Sequence, residues 1–181
     1  GAFHAMALAS DAPERMLWSK TVPFIARPTV CAPAIVDGLV VFGDGMHQTD
    51  DAVLYGLQAE TGMPVWRFPV PGKLVHLEAA PTIDKGRVYF CGGDAGVLCV
   101  DAKRVVLDGK EMNASEVIPI LSKRWAELSA NYEKEKQKDP LLAIPPSEDA
   151  LPKAAPKLIW QQGKNKWHVD APPAVAGLPA E

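Results

Sequence analysis

The chain is 181 residues long, 48% hydrophobic, 23% charged and 7% aromatic, globular proportions far from the low-hydrophobicity, high-charge composition of a disordered chain. Its length suits one domain of roughly 100–200 residues with a real core. Nineteen basic against twenty-two acidic side chains leave a formal charge of −3, so no long-range attraction to nucleic acid or anionic membrane is expected, and no apolar stretch approaches the ~18 residues of a membrane span.

The N-terminal segment, residues 1–31, begins at Gly1 without a basic region followed by an apolar one, so no signal peptide is expected within these residues; one removed earlier, or a vector remnant over Gly1–Met6, fits the same residues. This segment is expected to contribute an outer strand. From Ala32 onward the chain repeats itself. Ala32–Gly45 reads APAIVDGLVVFGDG, Ala80–Gly93 reads APTIDKGRVYFCGG, and Ala171 opens APPAVAGLPAE. Each copy has Ala-Pro followed six residues on by glycine: Gly38, Gly86 and Gly177. An apolar pair such as Ile35-Val36 and then an Asp-Gly-like reversal predict a short strand ending in a tight turn, where glycine supplies positive φ. Second strands follow at Leu39–Phe42 and Arg87–Cys91, rich in β-branched and aromatic residues. Third strands follow at Val53–Gln58, after the long loop Gly43–Asp51, and at Val97–Asp101, after the turn Gly92–Gly96. In the first copy Ala59-Glu60-Thr61-Gly62 turns into a fourth strand, Pro64–Phe68. One unit is thus four antiparallel strands, and the 48-residue step from Ala32 to Ala80 matches the ~40–50 residues of a propeller blade.

The second copy is interrupted after Ala102. About 43 extra residues precede Ala171 relative to the first period, and the outer strand is expected to resume at Leu158-Ile159-Trp160. Within the insertion, Val117, Leu121, Trp125, Leu128 and Tyr132 recur at helical spacing, predicting a helix over 117–138 with Pro119 in its first turn and a stop at Asp139-Pro140. Five prolines between Pro140 and Pro156 give Leu141–Lys157 the content of an extended tether. The organisation expected is therefore a segment 1–31, a blade 32–79, a blade 80–170 interrupted over about 103–157, and the first strand of a further blade at 171–181. The fold class is all-β: β-propeller blades of four antiparallel strands, an incomplete ring in this chain, with one inserted α-helix. Fewer than three repeats cannot close a ring of ~4–8 blades, so the remainder of the propeller, from the same gene or a cleaved companion chain, is the first partner expected.

Gly56-Leu57-Gln58-Ala59-Glu60-Thr61-Gly62-Met63-Pro64-Val65-Trp66 resembles the tryptophan-docking motif Ala-Leu-Asp-Ala-x-Thr-Gly-x-x-x-Trp of the pyrroloquinoline-quinone-type propeller repeat, departing at Gly56 and Gln58. Cys99-Val100-Asp101-Ala102 matches the first half of a second copy, with Trp160 as its displaced tryptophan. The resemblance implies that Trp66 and Trp160 dock blade on blade, with Gly62 and Ala59 permitting close approach. It also implies a choice between proteins that bind no quinone and dehydrogenases carrying pyrroloquinoline quinone (PQQ) and calcium. The dehydrogenase machinery so implied includes adjacent cysteines, and this chain has none adjacent; its acidic residues do not match the calcium ligands.

No catalytic or cofactor-binding residue is expected. Asp44, His47, Asp50 and Asp51 are weak metal candidates in one loop, and a solvated hairpin loop explains them better, because the alternating acids and closing glutamate of a calcium loop are missing. Gly92–Gly96 lies between strands and reads as a turn, not a phosphate loop. Cys91 and Cys99 either face each other across a hairpin or sit as small buried hydrophobes, the reading favoured. His4 and His76 have no partner suggested by the sequence. Trp125, Tyr132 and His168 are the expected partner contacts, the first two through the inserted helix. The reading is a non-enzymatic protein-binding or scaffolding propeller, similar in fold to the propeller lipoprotein of outer-membrane assembly, and that similarity implies a periplasmic or otherwise extracytoplasmic home. The alternative is a fragment of a quinone-dependent alcohol or sugar dehydrogenase.

Overall fold

A computed structural model describes residues 2–8, 15–20 and 24–176; Gly1, Gly177 and the rest of the third copy to Glu181 lie outside the described residues. The sequence pattern folds as antiparallel sheets. A two-stranded sheet pairs β1 (Phe3–Met6) with β2 (Met16–Lys20). The next sheet is the meander β3 (Ala34–Val36), β4 (Leu39–Gly43), β5 (Ala52–Gln58) and β6 (Pro64–Val70), each strand bonded to the one before. The last repeats that order with β7 (Thr82–Asp84), β8 (Arg87–Cys91) and β9 (Val97–Leu107), and takes its outer strand, β11 (Ala155–Gln162), from beyond the insertion. These are partial propeller blades.

The β3–β4 and β7–β8 hairpins close on two residues of positive φ each, Asp37-Gly38 at 45° and 77° and Lys85-Gly86 at 48° and 80°, the geometry whose twist matches the strands it joins. All of β4 is buried, on both of its faces. Leu39 and Val41 enter one core with Trp66, Val88, Phe90, Leu98 and Val100, which fills the space between the four-stranded sheet and the next. Val40 and Phe42 enter a second core with Trp18, Ile25, Tyr55 and Leu57, against the N-terminal hairpin. A sheet covered on both faces by other sheets explains the continuous apolar run LVVF, where a half-exposed strand would alternate.

Equivalent positions of the copies are neighbours in space. β3 lies beside β7, the Cys31 thiol donates to the Ala79 carbonyl at 3.2 Å, and the Thr82 hydroxyl donates to the Pro173 carbonyl. The three Ala-Pro openings therefore follow one another side by side.

The insertion departs from expectation in three respects. First, β9 does not end at Asp101 but runs to Leu107. It turns at Asp108-Gly109, φ 50° and 77°, into β10 (Lys110–Asn113). Val105 and Leu107 bury themselves in the inter-sheet core, and burial there rewards continuing the strand. Second, the helix α1 spans Ala114–Lys138 rather than starting at residue 117. The Glu116 carboxylate accepts from the Asn113 backbone N–H at 2.7 Å, fixing the start three residues earlier, so Pro119 falls in the second turn. Third, residues 141–157 are not simply a tether. Glu148–Ala150 form one turn of 3-10 helix, Leu151 and Ala154 are buried in the core, and the Arg67 N–H donates to the Ala154 carbonyl at 2.9 Å, covering the outer edge of β6. Residues 155–157 already belong to β11.

Candidate functional site

Two groups of residues converge: the tryptophans between sheets, and a set of histidines where the strand-end loops meet.

Trp66 is 1% exposed and packs between the sheets. It lies opposite Gly56 in the β5–β6 register, and a Cβ on Gly56 would come within 2.2 Å of the indole. Glycine in place of the motif's alanine therefore makes room for this ring. Gln58, the other departure, accepts from the Thr61 hydroxyl at 2.8 Å and closes the turn. The turn's partner is a residue the sequence reading passed over. The Trp18 indole N–H donates to the Ala59 carbonyl at 2.8 Å, and the Trp18 ring stands where a Gly62 Cβ would be, 2.6 Å away. The available signal was arithmetical, since Trp18 precedes Trp66 by 48 residues, one full period. The Trp66 indole N–H, by contrast, has no acceptor: the second sheet runs straight on through Ala102 where the first turns at Ala59–Gly62.

Trp160 lies opposite Cys99 on the far face of the second sheet, with its ring 6.0 Å from Tyr89. It is 36% exposed. Cys91, Cys99 and Cys31 are free and buried. Cys91 faces Val97 and Cys99 faces Tyr89, so the two thiols sit diagonally, too far apart for the ~3.8 Å between Cβ atoms that a disulfide needs.

The loop candidates separate. Asp44 is buried; its carboxylate accepts from the Val53 N–H at 2.7 Å and the Tyr55 hydroxyl at 2.9 Å. Burial pushes its carboxyl above the ordinary value, against those two hydrogen bonds, and burial together with the Asp44 charge pushes the Tyr55 phenol up as well. Asp50 accepts from the Leu74 N–H at 3.0 Å and Asp51 from the Gly72 N–H at 2.8 Å. These three aspartates pin loops, and only His47 faces a cluster.

That cluster is His47, His76, His168 and Asp170, one donor atom from each lying within 4.8 Å of the others. His47 comes from the β4–β5 loop, His76 from the β6–β7 connection, and the other two from the segment after β11. Paired backbone bonds between Gly93 and Val169, at 3.1 and 3.2 Å, bring that segment onto the β8–β9 turn. There the Asp94 carboxylate meets His168 Nδ1 at 2.7 Å, a hydrogen bond that raises the His168 pKa. His76 is 1% exposed, and neither ring nitrogen has a hydrogen-bond partner. Its Nδ1 faces Glu78 Oε1 at 3.3 Å and its Nε2 faces Asp170 Oδ1 at 3.6 Å. Leaving such groups unmade costs about 1–3 kcal/mol each. His76 and Asp170 are 94 residues apart, and no local spacing signals their meeting. Gly93, with φ 56°, clears the space: a Cβ there would lie 2.9 Å from His76 Nε2 and 2.4 Å from the Leu74 carbonyl oxygen.

At the opposite ends of the strands a cavity of about 400 Å³ opens between Gly38, Leu39, Gln58, Ala102 and the start of α1 at Asn113–Ser115. Along α1, Val117 and Leu121 are buried, whereas Trp125, Leu128 and Tyr132 are half-buried. Among the described residues, no helix is long and apolar enough to cross a membrane.

Comparison with known proteins agrees with this architecture. The family model described as outer membrane protein assembly factor BamB matches residues 7–107 and, in an overlapping placement, 29–131. No curated protein matches the chain. With antiparallel sheets of four and five strands stacked at successive copies of one motif, and the family model matching well over half of its length, the chain belongs to the BamB-like family of PQQ-type propeller repeat proteins.

Proposed function

We propose that this chain is part of a larger propeller that serves as a non-enzymatic protein-binding scaffold in an extracytoplasmic compartment. The observation that carries the reading is α1. Its first turns are anchored by Val117 and Leu121 in the inter-sheet core, but its apolar stripe continues through Trp125, Leu128 and Tyr132, none of them fully buried, into a charged end. A 25-residue helix that outruns its support, with aromatics half-covered, has the character of a contact surface, since aromatic side chains are enriched where proteins bind. The face of the second sheet that carries Tyr89 and Trp160 supports continuation of the array by further sequence or a companion chain. The corresponding face of the first sheet is covered, and Trp66 there is fully buried. His168 belongs to the loop face at the Gly93–Asp94 turn, a further surface open to a partner.

The description of the matching family, an outer-membrane assembly factor, supports a role in assembling outer-membrane proteins and a periplasmic location. The test is loss of the gene in its host. The scaffold reading expects lower levels of folded outer-membrane β-barrel proteins and no change in alcohol oxidation. Unchanged β-barrel levels, with dye reduction by alcohols from the full-length protein supplied with PQQ and calcium, would establish the dehydrogenase reading instead.

A further inference from the structure

We propose that His47, His76, His168 and Asp170 bind a divalent transition-metal ion of the zinc class, which ties the four-stranded sheet to the five-stranded one at one end of their strands. The donor set is three imidazoles and a carboxylate, ligands that suit zinc and its neighbours rather than calcium or magnesium. The four donor atoms lie within 4.8 Å of one another. A tetrahedral zinc with bonds of about 2.0–2.1 Å spaces its ligand atoms roughly 3.3 Å apart. Rotation of the exposed His47, His168 and Asp170 side chains closes that gap without moving a strand.

His76 is the second, independent observation. It is buried with both ring nitrogens lacking hydrogen-bond partners, and its Nε2 is aimed at Asp170. Glu78 stands behind its Nδ1 at 3.3 Å. His168 repeats the arrangement, with Asp94 at 2.7 Å from Nδ1 and Nε2 turned to Asp170 Oδ2 at 3.2 Å. Asp94 behind His168 holds the proton on Nδ1 and leaves that ring's Nε2 lone pair for a metal, the outer-shell pattern of metal-binding histidines. Glu78 stands in the same place behind His76, near enough to take up that bond once the ring is oriented by an ion. The three rings surround one point, their centroids 5.3–6.1 Å apart. Protein atoms supply all four positions of a tetrahedron, so the ion cross-links and opens no place for substrate. The β4–β5 loop, the β6–β7 connection and the segment after β11 are joined through it.

The test titrates the whole chain, stripped with chelator, with Zn²⁺ by calorimetry and with Co²⁺ by visible absorption. One equivalent should bind, with the intense d–d bands of tetrahedral Co²⁺. Glu78→Gln and Asp94→Asn should each weaken binding about 10–100-fold. His47→Ala, at an exposed loop position that leaves the fold intact, should abolish the tetrahedral spectrum, and His4→Ala should leave it unchanged. A flat titration overturns the proposal, as does a site whose stoichiometry and spectrum survive both His47→Ala and His168→Ala.

Discussion

Gly62 answers two demands at once. Its φ is 69°, and the Trp18 ring occupies the volume a side chain would take. Gly38 has nearly the same backbone, φ 77°, but open space around it. Gly38→Ala should therefore cost only the backbone term, about 1–2 kcal/mol. Gly62→Ala should cost more, because the indole must also move and its bond to Ala59 is lost; urea denaturation of the pair separates the two contributions. Equal losses would mean that Trp18 does not press on this turn.

Asp44 makes a prediction in pH. Burial raises its folded pKa, while the Tyr55 hydroxyl and the Arg27 charge oppose that rise. A carboxyl raised in this way stabilises the fold only while it holds its proton. That contribution is complete below the ordinary carboxylate pKa and is lost as pH rises through the higher folded value. Asp44→Asn cannot titrate and keeps an acceptor for Val53, so its stability relative to wild type should improve from about pH 3 to about pH 7. Asp44→Ala leaves the Val53 N–H and Tyr55 hydroxyl without their acceptor and should cost about 1–3 kcal/mol at either pH.

At the scale of elements, what was legible was what repeats. Ala-Pro, a positive-φ pair and a β-branched run announce β3 and β7 and place β4 and β8 to within a residue, since each feature acts through its immediate neighbours. Asp108-Gly109 carries the same turn signal as Asp37-Gly38, yet β10 is not legible from the repeat because it falls inside the interruption, where no other copy has an equivalent strand. The early start of α1 was missed for another reason. Pro119 fits a first turn well, and the Asn113–Glu116 cap that overrides it is visible only once Asn113 is taken as the cap. Burial divides the helix in two. Leu121→Ala should cost about 2–5 kcal/mol by opening a cavity in the inter-sheet core, whereas Tyr132→Ala should fall within about 0.5 kcal/mol of wild type. Thermal denaturation of the two variants checks this, and a comparable loss at Tyr132 would place that residue in the folding core instead of on a contact surface.

For the whole molecule, the histidine cluster was beyond reach from sequence. Its members come from three separated loops, and only the stacking of one sheet on the next brings His47 and His76 to His168. The acidic loop around His47 drew attention by local density, but Asp44, Asp50 and Asp51 spend their carboxylates on backbone N–H groups. Stacking also ranks the tryptophans. Trp18 is buried with its N–H bonded, Trp66 is sealed between sheets, and Trp160 and Trp167 lie open to solvent. The indole N–H signals of ¹⁵N-labelled protein, followed by NMR after transfer to heavy water, read this order without any substitution. The stacked-sheet account predicts that the Trp18 and Trp66 signals persist while those of Trp160 and Trp167 vanish at once. A Trp66 signal lost as quickly as that of Trp160 would contradict it.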